Sequence, residues 1–356
     1  MQTDAILIKA SGGDYDIISD GESRGILTDD EMIYISRSQD GIVVSIPGEN
    51  AFIADSLEIK SSSDSCILNL RTVGGSSGYT EYKGSMAVSS GMGTLIIINN
   101  IPIEEYIAAV VQAEGGYNAH PEYFKTQAVI TRTYAWLHMN KHGDEGYDLC
   151  DNVHCQVYHG RSIVEAIDKA VLATTGQVIT DSDSLLVLTP FHSNCGGETA
   201  ASDQVWLTAK PYLKSVVDPY CSFSRNAVWQ KIIDKDLFVR YMVENGYDGL
   251  TEDLLSTFNQ PVRVRDFISG DFSLPLANIR SDLGLRSTLF SYSLEGDSLE
   301  FKGRGYGHGV GLCQEGAMVM ATRGYTYKQI INFYYYNVSI IDIASVKAEV
   351  VEKESF

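Results

Sequence analysis

The sequence predicts a mixed α+β fold: two central helices packed on antiparallel β-strands, with a cleft along Glu114, and an N-terminal β-rich flank. Three observations predict it. From Ile6 to about Leu70, short alternating segments such as MIYISRS and GIVVSIPG are separated by clusters of Gly, Asp and Ser, the pattern of strands joined by turns. Ile101 to His138 carries apolar residues at helical spacing on both sides of a Gly-Gly break. From Gln260 onward strand-like segments return. The expected division is a β-rich appendage over residues 1–78, a principal domain over 79–345 with a helical insertion at about 231–260, and a frayed tail over 346–356.

With 356 residues and 44% apolar content the chain can bury one large core with an appendage. Its formal charge of -19 argues against nucleic acid and against an anionic bilayer surface as partners, and leaves neutral glycans open. The 21 tyrosines, with Trp136, Trp206 and Trp229, offer flat faces that could stack on sugar rings, although most such residues simply pack. The sequence has no run of eighteen apolar residues, and MQTDAILIKASGG lacks the basic and apolar regions of a signal peptide. The expectation is a soluble chain with no direct membrane insertion, either intracellular or already trimmed of an export signal. Six cysteines are too few for a disulfide scaffold of this size, so separate local uses are expected.

Taken in order, YKGSMAVSSGMGTLIIINN reads as a hairpin over Tyr82–Asn100 that turns between Ser89 and Gly93. In the first central helix Ile103, Ile107, Val110 and Val111 form one apolar stripe, and Glu114 occupies its next position. Gly115 and Gly116 stop the helix there, which leaves Glu114 in the last turn at the negative end of the helix dipole. Partial burial and that dipole both disfavour the ionised form, so Glu114 is expected to have the raised pKa of an acid catalyst. The competing description is a surface residue at a fraying end. The second helix has Asn118 or His120 as its cap and Pro121 in its first turn. Phe124, Gln127, Ala128, Thr131 and Ala135 give it a face to pack back on the first.

The stretch from His138 to Gly160 is polar and without period, yet it holds Cys150, Cys155, His138, His142, His154 and His159. Cys150 and Cys155 with one histidine would suit zinc, with a fourth position open; exposed histidines around buried thiols are the alternative. A helix is expected over Ile163–Thr174. GQVIT and SLLVLTPFHSNCGGETA are then expected to pair as strands and deliver His192, Ser193, Asn194 and Cys195 to a Gly-Gly turn. Lys210–Trp229 reads as a strand and a turn-rich loop, and Lys231–Leu255 as a charged helical insertion on the surface. After a hairpin around Gly296, five glycines from Gly303 to Gly311 hold His308 in a tight backbone, and Cys313, Gln314 and Ala317 open the next helix. GRGYGHGVG is neither a P-loop nor a dinucleotide fingerprint. INFYYYNVSIIDI reads as a last helix end and strand.

Four stretches resemble one family: YKGSMAV with LIIINNIPIEEYIAAVVQAE, KTQAVITRTYA, FHSNCGGET with DPYC, and LRSTLF with GRGYGHGVGLCQEGA. Together, from about Tyr82 to Ile341, they resemble the catalytic domain of the stage II sporulation protein D family, which includes sporulation lytic transglycosylases and a group described as amidase enhancers. The resemblance implies a peptidoglycan lytic transglycosylase. It would cut between N-acetylmuramic acid and N-acetylglucosamine in peptide-stripped strands, leaving 1,6-anhydro ends, with Glu114 as acid and then base. It also implies zinc, as in some members, at Cys150 and Cys155, with His142 ahead of His154 as the third ligand. A cell-wall amidase is the implied partner, and an extracytoplasmic location follows from the substrate.

Arg132, Ser193, Asn194, His308 and Gln314 come from the shared motifs and are expected to hold the sugars. The chain departs from the family where Gly115 and Gly116 replace Met and Pro, and where Cys195 and Cys313 replace serine or another small residue. Each cysteine lies near a histidine, His192 or His308, so a cysteine nucleophile is a competing reading. A non-catalytic glycan-binding amidase enhancer is the main alternative. A hydrolytic muramidase would need a second carboxylate, for which Glu198 and Glu315 are the candidates.

Overall fold

The computed structural model describes residues 3–61, 63, 65–75 and 77–347. The chain divides into two compact units, Met1–Tyr117 with His138–Thr175, and Asn118–Leu137 with Gly176–Phe356. The mixed α+β class is as the sequence predicts.

Among the described residues the first unit opens with eleven strands: β1 (Ala5–Ser11), β2 (Tyr15–Ser19), β3 (Glu22–Leu27), β4 (Met32–Ser38), β5 (Gly41–Ser45), β6 (Phe52–Ala54), β7 (Ser56–Ser61), β8 (Ile67–Thr72), β9 (Thr80–Lys83), β10 (Ser85–Ser90) and β11 (Leu95–Asn100). They form antiparallel sheets in the orders β6-β5-β4-β1-β8-β9 and β11-β10-β7-β2-β3. Alternate residues turn inward, Ile6, Ile8 and Ala10 from β1 and Leu57 and Ile59 from β7, and both sheets share one apolar core. The expected hairpin is β10–β11, with Ser90 opposite Leu95. The expected border between residues 78 and 79 is corrected. Tyr82 of β9 pairs with Leu68, and Met86 of β10 with Ile59, so the strands after that border complete the sheets begun before it.

The helices that follow are α1 (Ile103–Gly115), α2 (Pro121–Leu137) and α3 (Glu165–Ala173). Within the first unit α1 packs on α3, whose Ile167, Ala170 and Val171 are buried. Ile107, Val110 and Val111 are buried as the stripe requires. Gly116 closes α1 at φ 81°, a conformation suited to glycine, and its N–H bonds the carbonyl of Gln112.

In the second unit His120 caps α2, its Nδ1 accepting the N–H of Glu122 at 3.3 Å. Beyond α3 the chain runs through β12 (Gln177–Thr180), β13 (Phe191–His192), β14 (Val228–Asp234), α4 (Lys235–Glu244), α5 (Thr251–Leu255), β15 (Asp266–Ser269), β16 (Phe272–Pro275), α6 (Leu276–Asp282), β17 (Phe290–Glu295), β18 (Ser298–Arg304), β19 (Leu312–Cys313), α7 (Gln314–Thr322), α8 (Tyr327–Tyr334) and β20 (Ser339–Asp342). Three expectations are corrected. GQVIT forms its ladder with the C-terminal β20, and the expected pairing with SLLVL shrinks to a short bridge, Thr180 opposite Leu186 with the Val187 N–H donating to the Ile179 carbonyl at 3.2 Å, while β13 pairs in parallel with β19. Lys210–Trp229 contributes no strand before β14 begins at Val228. The segment 231–260 is no surface insertion: β14 pairs along β18, and Phe238, Met242 and Leu254 enter the core with Tyr292, Leu299 and Phe301. Its charged residues occupy the outer face of an amphipathic α4, and the apolar ones at helical spacing do the packing. Residues 348–356 of the expected tail lie outside the described residues. Among the described residues no helix is long and apolar enough to cross a membrane.

Candidate functional site

Glu114 stands in the last turn of α1, partly buried. The loop after α2 returns to the first unit and passes beside it, and the N–H of Val157 donates to Glu114 Oε1 at 3.1 Å. Burial raises Glu114 above its ordinary pKa of 4.5; the Val157 N–H and the charge of His159 act the other way without cancelling the shift. The passing segment is fixed on both sides. Ile163 N–H donates to Gln112 Oε1 at 2.7 Å, Tyr158 hydroxyl to Asn99 Oδ1 at 2.5 Å, and Arg161 Nε to Glu81 Oε2 at 2.6 Å. A protonated carboxyl group with a backbone donor ready for its conjugate base can give up a proton and take one back.

The same loop gathers His142, Cys150, His154 and Cys155, whose ligand atoms all lie within 4.8 Å of one another. His142 Nε2 is 3.4 Å from Cys155 Sγ, and His154 Nδ1 is 3.6 Å from Cys150 Sγ. His142 Nδ1 is held by Glu145 Oε1 at 2.6 Å, and Glu145 also accepts from the Tyr147 hydroxyl at 3.0 Å. A carboxylate on the far nitrogen fixes the tautomer that turns Nε2 toward the thiols, the outer-shell arrangement of histidine metal ligands. Two thiols and two imidazoles in this compass fit a tetrahedral zinc ion. The sequence left the third and fourth donors open; His154, next to Cys155 in the chain, joins His142 in the cluster.

The remaining expected residues lie in the second unit. Arg132 is fully buried, and its Nη1 donates to the carbonyls of Ala128 at 3.5 Å and Gln177 at 3.1 Å. Its expected sugar contact is corrected on that ground: the guanidinium ties α2 to the start of β12. Asn194 is buried, and its amide donates to Glu315 Oε2 at 2.6 Å and to Ser224 Oγ at 2.9 Å. Asn226 donates to the other Glu315 oxygen at 2.7 Å and to Ser193 Oγ at 3.3 Å. Ser193 and Gln314 stay partly exposed at the edge of this network. Asn226 was missed because it lies in a turn-rich loop with no motif around it. Two amides clamp the Glu315 carboxylate, while Glu198 is exposed and accepts from Ser215 at 2.7 Å.

His308 donates from Nε2 to the Phe191 carbonyl at 2.9 Å and accepts at Nδ1 from the Val310 N–H at 3.1 Å. Both ring nitrogens thus serve the backbone, and burial lowers the pKa to about 4, so the ring is neutral. The glycines around it are needed for contact: a Cβ at Gly307 would meet the Cβ of His192 at 2.8 Å, and Gly311, at φ 71°, backs onto the Pro190 carbonyl. The cysteine-nucleophile reading finds no support. Cys195 and Cys313 are fully buried; hydrogen bonds to Cys221 and Cys313, with burial, raise Cys195, and burial raises Cys313. An activated thiol is accessible and shifted the other way.

These features define a class, a two-unit α+β protein with a glutamic acid of raised pKa beside a soft-ligand loop. A family profile described as stage II sporulation protein matches residues 91–180, the stretch that holds Glu114 and the clustered His142, Cys150, His154 and Cys155. The chain is 30% identical over 260 residues to Stage II sporulation protein D of Bacillus subtilis (strain 168), covering 68% of this chain and 75% of that protein. It is 31% identical over 283 residues to an uncharacterized protein of Brachyspira hyodysenteriae, covering 76% of this chain and 74% of that one. With the amidase enhancer of Bacillus subtilis it shares 26% identity over 269 residues, 60% of this chain and 37% of the enhancer. The chain belongs to the stage II sporulation protein D family.

Proposed function

We propose that this protein has a cell-wall role of the kind associated with sporulation, and that it is a lytic transglycosylase of peptide-stripped peptidoglycan strands. The observation that carries the enzymatic reading is the raised pKa of Glu114 together with the Val157 N–H on its carboxylate. Protonated Glu114 donates to the glycosidic oxygen as the bond from N-acetylmuramic acid C1 breaks. The carboxylate left behind, stabilised by Val157, takes the proton of the same sugar's C6 hydroxyl, whose oxygen closes on C1. One C–O bond breaks and one forms, the proton lost is regained, and no water is consumed. A single carboxyl group suffices, whereas ordinary glycosidases need two at a defined separation. The amide clamp on Glu315 supports this reading over a hydrolytic muramidase, because both oxygens of that carboxylate are already taken by the Asn194 and Asn226 amides.

Zinc belongs to the same proposal, held by His142, Cys150, His154 and Cys155. When bound, the ion would neutralise the thiolates and pin the loop that carries Val157. Ser193, His308 and Gln314 are the candidate sugar contacts that keep partial exposure. A location facing the cell wall follows from the substrate. The test is mass spectrometry of products from peptide-stripped glycan strands. Fragments with anhydro ends support a transglycosylase, and products heavier by one water would mean hydrolysis. Similarity to the amidase enhancer favours a second reading, a glycan-binding protein that stimulates an amidase. Binding to peptidoglycan with no fragments released, and a faster amidase in its presence, would establish that one instead.

A further inference from the structure

Four side chains from three separate stretches of the second unit, Cys195, Asp218, Cys221 and Cys313, converge so that their ligand atoms all lie within 4.8 Å of one another, every one of them buried. Cys195 Sγ is 3.3 Å from Cys221 Sγ and 3.3 Å from Asp218 Oδ2. Cys313 caps α7, and its sulfur accepts the N–H groups of Gly316 at 3.4 Å and Cys195 at 3.3 Å. Two backbone donors on one sulfur fix where that sulfur points. The carboxylate is oriented as firmly: Tyr334 hydroxyl donates to Asp218 Oδ2 at 3.0 Å and Tyr220 N–H to Oδ1 at 2.8 Å. Residue 316 must be glycine for this, since a Cβ there would collide with both the Tyr334 hydroxyl and Asp218 Oδ2.

We propose that Cys195, Asp218, Cys221 and Cys313 form a second, structural zinc site. Burying a carboxylate among three thiols is costly unless a cation compensates them, and the buried Arg263 guanidinium bonds the carbonyl of Cys195, not its sulfur. Three sulfurs and one oxygen complete a tetrahedron with no open position, the mark of a structural site. With zinc–sulfur bonds of about 2.3 Å the sulfurs would stand about 3.8 Å apart, a few tenths of an ångström outside the present Cys195–Cys221 separation. A disulfide between those two would strand Cys313 and leave Asp218 facing sulfur without purpose. Its role follows from its neighbours: Asn194 precedes Cys195, Gln314 and Glu315 follow Cys313, and the carbonyl of Cys221 accepts from Asn194 at 3.2 Å. The ion would fasten β13 to β19 and the start of α7, and so hold the network of Asn194, Asn226 and Glu315 in register.

The experiment counts metal by inductively coupled plasma mass spectrometry in the full chain purified without chelator. The first cluster is removed in either of two ways, Cys150→Ser with Cys155→Ser, or His142→Ala with His154→Ala. About one zinc per chain should persist in these backgrounds and disappear when Cys221→Ser is added. Cobalt in its place should give the strong sulfur-to-metal absorption of a thiolate-rich tetrahedral site. Should the Cys221 variant fail to fold, the two parent backgrounds still decide. No metal in either of them overturns the proposal, as does an intact mass two hydrogens lighter from a Cys195–Cys221 disulfide.

Discussion

Replacing Glu114 with glutamine separates the chemistry of this residue from its structural cost. The carboxamide keeps the shape of the side chain, and its oxygen can still accept the Val157 N–H at about the observed 3.1 Å. What it cannot do is donate and regain a proton. A positioned general acid–base contributes roughly 10²–10⁴-fold, about 2.7–5.5 kcal/mol of barrier, so product release from glycan strands should fall by that factor. Stability should move the other way. Because the folded-state pKa of Glu114 is raised above its ordinary 4.5, the folded chain holds the proton more tightly than the unfolded one. Its contribution is therefore fully present below pH 4.5 and is lost as pH rises through the folded value. Glutamine has no such dependence, so Glu114→Gln should unfold at a higher temperature than the wild type at pH 8, with the difference vanishing at pH 4. The assay pairs anhydro-product mass spectrometry with calorimetry at the two pH values. Activity within tenfold of wild type, or a variant less stable at pH 8 than at pH 4 relative to the parent, would refute the assignment of Glu114 as the buried acid.

Arg132→Met should cost about 1.5–3 kcal/mol of stability, because the Gln177 carbonyl loses a charged donor. In chemical denaturation the midpoint should fall while KM holds, and an unchanged midpoint with a raised KM would restore Arg132 as a sugar contact. Gly311→Ala should abolish soluble protein, since the methyl meets the Pro190 carbonyl at φ 71°; Gly296→Ala, at φ 64° with nothing near its Cβ, should cost only about 1–2 kcal/mol. Equal losses in the two would sink that account. For His308, lowered from 6.5 to about 4, the unfolded chain binds the extra proton, so stability should decline as pH falls from 6.5 toward 4. Urea midpoints across that window should flatten in His308→Gln.

What could be read from the residues was local. The stripe of Ile107, Val110 and Val111 ending in Glu114, the Gly116 stop, and the hairpin of β10 and β11 each depend on neighbours a few positions away, where helical and strand periodicity carry the signal. The raised pKa of Glu114 followed from the same pattern, although its chief cause is burial, as the covering loop shows. What escaped was long-range. The parallel pair of β13 with β19 joins residues about 120 positions apart over two residues each, too short for any periodicity to announce. Arg132 was expected to hold a sugar because its burial depends on the carbonyl of Gln177, which local sequence cannot place. The apolar residues of α4 were hidden among charges, and only the pairing of β14 with β18 turns them inward.

The order in which the two units take their share of the chain also constrains how the molecule can be made and divided. Each is discontinuous: α2 interrupts the first, and the segment 138–175 interrupts the second. No single cut releases either one whole, so a truncation at residue 117 or 175 leaves at least one unit missing a piece or an orphaned fragment attached. During synthesis, Glu114 leaves the ribosome long before Val157 does, with all of α2 emerging between them. The acid therefore acquires its backbone partner only after part of the other unit has been made. A gene shuffled at any one point would separate partners, which favours inheritance of the two units together.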